Sequence, residues 1–69
     1  SHYMIPLTHF NGKKFILNCL IIQSIESTPD TVIILTNGEK IMVKESIQEV
    51  IEKVTSYLKN IYTNPIGSR

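Results

Sequence analysis

The sequence predicts a small α+β domain: an antiparallel sheet of four to five short strands, then one C-terminal amphipathic helix. Three observations carry this. Apolar runs with a two-residue period fill the first forty-odd residues. Asn-Gly pairs interrupt them at Asn11-Gly12 and Asn37-Gly38, the strongest short-range hairpin signal. After Lys44 the apolar period changes to about 3.6.

The strands are expected at Ile5–Phe10, Phe15–Asn18, Leu20–Glu26, Thr31–Thr36 and Lys40–Lys44, each bounded by Asn-Gly, Pro-Asp or a polar break. The weakest boundary is Asn18-Cys19, so the second and third runs are also readable as one bent strand. Pro6 has no N–H for a ladder, which sets the first strand at an edge or starts it late. Taken as two-residue type I′ loops, the Asn-Gly pairs set Val32 against Val43, Ile34 against Ile41, Leu7 against Ile16 and Thr8 against Phe15. One face of the second hairpin then holds Val32, Ile34, Ile41 and Val43. The other holds Ile33, Leu35, Met42 and Lys40.

In the last segment Ile47, Val50, Ile51, Val54, Leu58 and Ile61 form one helical stripe, extended by Tyr57 and Tyr62. Ser46 with Glu49 three residues later is a capping box and fixes its start. Early glutamates and the later Lys53 and Lys59 suit the helix dipole. The domain is expected over residues 4–62. Ser1 to Tyr3 read as residues left by cloning, with the native start at Met4, and residues 63–69 as a flexible tail.

Sixty-nine residues support one domain with a thin core. Such chains are usually reinforced by disulfides, a metal or association. Cys19 is the only cysteine, so no internal disulfide forms, and a lone thiol suits the reducing cytoplasm. No Cys/His/carboxylate cluster has metal-ligand spacing. One helix covers one sheet face, so apolar residues on the other call for a further cover, by self-association or a partner protein. A strongly coiled sheet closing on itself is the alternative. Ile33, Leu35 and Met42 are the candidate oligomer or partner surface.

Seven basic and six acidic residues give a formal net charge of +1. This offers no electrostatic case for nucleic acid, membrane or an acidic substrate. No apolar run approaches the roughly 20 residues of a membrane span, and no signal peptide is evident. Neither Asn-Gly element matches a Walker loop or a dinucleotide fingerprint, since a single glycine leads into a strand each time. His9 and Cys19 have no third group to complete a nucleophilic site. The expectation is therefore a non-enzyme without cofactor, metal or small-molecule substrate. Lys13, Lys14, Lys40 and Lys44 form a possible basic patch, with Phe10 near it for stacking. They sustain an RNA- or DNA-binding module as the second reading.

"NGKKFILN", "IESTPDTVIILTNGEKIMVKES" and the helix after them resemble the FlbD family of small bacterial flagellar proteins, which includes the swarming proteins called SwrD. The resemblance runs from Met4 to Tyr62, with His9-Phe10 standing where a basic and an aliphatic residue are usual. It implies a cytoplasmic accessory protein of flagellar motility or swarming, associated with the motor, with no catalytic residues to transfer. The partner it implies is a motor protein, beside self-association.

Overall fold

The structure is a computed structural model and describes residues 3–63, with side chains through Ser56. The strands are β1 (Met4–Thr8), β2 (Lys14–Asn18), β3 (Ile22–Glu26), β4 (Thr31–Leu35) and β5 (Lys40–Val43), and the helix is α1 (Ile47–Thr63). All pairings are antiparallel, β1 with β2 and β3–β4–β5 in order. The α+β class predicted by periodicity holds. The expected residue 63–69 tail lies outside the described residues, apart from Thr63. So do the side chains of Tyr57, Leu58, Ile61 and Tyr62, and Ser1 and His2 entirely.

The break at Asn18-Cys19 is a 3-10 turn over Cys19–Ile21, capped by Asn18 Oδ1 accepting the Leu20 N–H. It separates β2 from β3, so the two are not one bent strand. It is tied on both sides: Cys19 N–H donates to Tyr3 C=O, and Thr36 N–H donates to Ile21 C=O.

Both Asn-Gly pairs reverse the chain, but the loops are one residue longer than predicted. In the second hairpin the Leu35 N–H donates to Glu39 C=O at 2.8 Å and the Gly38 N–H to Leu35 C=O at 2.9 Å, enclosing Thr36, Asn37 and Gly38. The first repeats this, with His9 bonded to Lys13 at 2.7 Å and Gly12 to His9 at 2.8 Å. A type I′ turn needs positive φ at the asparagine as well as the glycine. Here only Gly12 (+97°) and Gly38 (+92°) have it, which is a type I turn closed by a glycine bulge. Each asparagine Oδ1 accepts the N–H two residues on, from Lys13 and from Glu39. That local bond holds the asparagine on the negative-φ side.

The extra residue moves every cross-strand partner by one. Val32 faces Met42 and Ile33 faces Ile41; Leu7 faces Phe15. A one-residue slip exchanges the faces, so Ile33 and Leu35 share the inner face with Ile41 and Val43. The two-residue-loop pairing is corrected on this point.

The two sheets meet where the end of β1 runs beside the end of β5. Phe10 N–H donates to Met42 C=O, Lys44 N–H to Thr8 C=O, and His9 bridges Val43. Their inner faces thus share one core: Ile5, Leu7 and Leu17 from the first sheet, Ile33, Leu35 and Val43 from the second. This curling covers the inner face, as in the closed-sheet alternative. Pro6 fits because β1's bonds to β2 fall at Leu7 and His9. Its missing N–H points away from β2, where no partner strand runs. In β3 a register shift between Ile22 and Ser24 bulges the strand. Ile22 and Ile25, three apart, both reach the core through it.

The helix closes the core with Val50, fully buried, a contribution of about 1.5–3 kcal/mol. Its start is the predicted capping box. Ser46 N–H donates to Glu49 Oε1 at 2.8 Å, and Glu49 N–H donates to Ser46 Oγ at 3.2 Å.

Candidate interaction surface

Strand β5 and the residue after it read Lys-Ile-Met-Val-Lys, so alternation sends Lys40, Met42 and Lys44 outward and Ile41 and Val43 inward. The neighbouring strands complete an outer face around Met42. Val32 pairs with it on one side and Ile34 with Lys40. On the other side the Phe10 N–H bond to Met42 C=O (3.1 Å) sets Phe10 beside Met42, and the Lys44 N–H bond to Thr8 C=O (2.9 Å) sets Lys44 beside Thr8. Thr8 in turn pairs with Lys14 on β2. The middle of this face is apolar and open: Phe10 is 52% exposed and Met42 41%, with Val32 and Ile34 half-buried. Lys14, Lys40 and Lys44 surround it, all exposed.

Of the predicted contact residues only Met42 lies here. Ile33 (0% exposed) and Leu35 (4%) are inside the chain's own core, on the face that the first sheet and Val50 cover, and the three-residue loop sets Met42 on the other face. Of the basic residues, Lys14, Lys40 and Lys44 share this face. Lys13 pairs with His9 at the hairpin end, and alternation turns it to the opposite side with Phe15. Phe10, expected beside the basic patch, is one apolar neighbour of Met42; Val32, the other, belongs to this surface although sequence reasoning did not assign it there. The Lys-x-Met-x-Lys alternation was the available signal. Which neighbours it meets depends on a β1–β5 contact that no local pattern encodes.

A family model described as FlbD, flagellar and swarming motility proteins, matches residues 4–62. The chain belongs to the FlbD family. Membership makes it a protein related to flagellar and swarming motility. No curated protein and no solved structure matches it.

Glu45, His9 and Cys19 of this FlbD chain are engaged structurally. Glu45 receives both the Thr8 N–H and the Thr8 Oγ1–H, each at 2.9 Å. Thr8's N–H faces the side where β5 has already departed toward the helix, and the carboxylate stands in for the missing ladder acceptor. Partial burial works against the Glu45 charge. The Thr8 bonds, Glu45's own N–H and the Lys53 charge outweigh it, holding the carboxyl below its ordinary range. His9 stacks on Phe15, ring centroids 3.9 Å apart. Cys19 packs against the core at the far end of β2, about six strand residues or ~20 Å from the His9–Lys13 pair, so the two form no dyad. Cys19 also lines a cleft of about 220 Å³ with Ile22, Ile25, Ile51, Val54 and Thr55. No charged side chain in that lining would orient a small molecule. Among the described residues no group of three or more His, Cys, Asp or Glu is placed to hold a metal, and no helix is long and apolar enough to cross a membrane.

Proposed function

We propose that this FlbD protein is a non-enzymatic, cytoplasmic accessory of flagellar or swarming motility. It works by protein–protein contact, either in an oligomer of its own chain or on a motor component. The observation that supports this most is the open apolar centre formed by Phe10 and Met42. In so small a domain, contiguous exposed apolar surface rimmed by polar groups marks an interaction site. The test is Met42→Asp in the native strain. Swarming should be lost while the far-UV spectrum and melting temperature of the purified protein stay close to wild type. Normal swarming by the variant, with the wild-type chain sedimenting as a partnerless monomer, overturns the reading.

Nucleic-acid binding is the second reading, because Lys14, Lys40 and Lys44 stand on the same face as Phe10. It predicts salt-sensitive retardation of single-stranded RNA or DNA, weakened by Lys40→Glu. Absence of any retardation at low salt removes it.

A further inference from the structure

We infer that the outer face around Met42 receives an acidic, apolar segment of a different protein. This deepens the contact reading above and rests on it. The centre of the face is Phe10 and Met42 backed by Val32. Lys40 and Lys44 stand at either end of Met42 on the same strand, about 13 Å apart at four strand residues. Lys14 lies beyond Thr8. An apolar anchor enclosed by charge is the usual anatomy of a protein interface, and the sign of the rim selects the partner.

Among the described residues Lys14, Lys40 and Lys44 form no ion pair, so the rim keeps positive charge. The Glu45 carboxylate, bonded to the neutral Thr8 and drawn on by Lys53, keeps its negative charge and offsets the rim only in part, one carboxylate against three lysines. Glu39 alternates to the side opposite Lys40, and Glu26 lies at the far end of the Met42 row, beyond Val32. A complementary segment places one apolar side chain on Phe10 and Met42, with carboxylates about 10–13 Å apart, the length of two helical turns.

A second copy of this chain fits poorly. A two-fold contact centred on Met42 sets Lys40 of one copy against Lys44 of the other, and like charges across an interface are costly. Nucleic acid fits less well than protein, because the centre offers one aromatic ring beside aliphatic side chains, and Glu26 ends the same row.

The experiment places a benzophenone side chain at position 42 of the full chain in swarming cells, irradiates, and sequences whatever is joined to it. The expected product is a segment of another protein carrying two or more Asp or Glu within two helical turns of the attachment point. With Lys40→Glu and Lys44→Glu together, its yield should fall about tenfold, as charge repulsion across an interface requires. Lys13→Glu, off this face, should change it less than about twofold. A joined segment without acidic residues, or a second copy of the chain, overturns the acidic-partner inference and leaves the contact reading standing. Cross-linked nucleic acid overturns both in favour of the second reading. No product at all, with Met42→Asp cells swarming normally, overturns both outright.

Discussion

Replacing Glu45 by alanine tests how the two sheets are joined. The carboxylate accepts two hydrogen bonds from Thr8, each 2.9 Å long and partly buried, across 37 residues of chain. Hydrogen bonds to a charged acceptor contribute about 1.5–3 kcal/mol each when buried, less when solvent competes. For this partly buried pair we expect Glu45→Ala to cost about 2 kcal/mol in total, including the Thr8 N–H left without its acceptor. In a domain this small that lowers the melting temperature by roughly 8–16 °C. The loss should depend on pH in a defined direction. The Glu45 carboxyl is held below its ordinary range in the folded chain, so its stabilisation is complete above the unfolded value, about 4.3. It disappears as pH falls through the lower folded value. Urea melts followed by circular dichroism at pH 7 and pH 3 measure both quantities. The gap between wild type and variant should be about 2 kcal/mol at pH 7 and close at the acid end. A gap under about 0.5 kcal/mol at pH 7, within the range of ordinary surface substitutions, refutes the reasoning. So does a gap indifferent to pH.

Gly38→Ala isolates the backbone cost of the turn, because a Cβ there meets nothing within 4 Å while φ is +92°. The denaturant midpoint should report a loss of about 1–2 kcal/mol, and a neutral result means that the turn relaxes to another form. Ile33→Ala should cost about 2–5 kcal/mol, enough to unfold much of a marginal domain. Met42→Ala, on the open face, should cost less than about 1 kcal/mol. Nearly equal costs, as for two residues sharing one face, restore the two-residue-loop pairing.

What the sequence made legible were features with a single local solution. Ser46 and Glu49 can satisfy each other's backbone in one way, and the helix begins there. The positions of both turns were equally plain. Their length was not, since two- and three-residue loops both accept Asn-Gly, and the difference lies in the sign of one φ. A hydrophobic pattern usually settles register, but β4 is Thr-Val-Ile-Ile-Leu, apolar on both faces, so either parity looked equally good. That placed Ile33 and Leu35 on the candidate surface when they are core. The bulge that turns Ile22 and Ile25 inward, and the meeting of Thr8–Phe10 with Met42–Glu45, depend on contacts distant in sequence. Half of the candidate surface was therefore hidden, although its lysines and methionine were in view.

The paired turns also bear on how the chain ages. An asparagine followed by glycine is the dipeptide most prone to lose ammonia, because the unhindered glycine nitrogen attacks the asparagine side-chain carbonyl and closes a succinimide ring. In this fold each of those nitrogens is engaged elsewhere, Gly12 donating to His9 and Gly38 to Leu35. The side-chain oxygen of each asparagine is held by the N–H two residues on. The hydrogen bonds that set the turn therefore also restrain the nitrogen and the carbonyl through which the same two residues would decay.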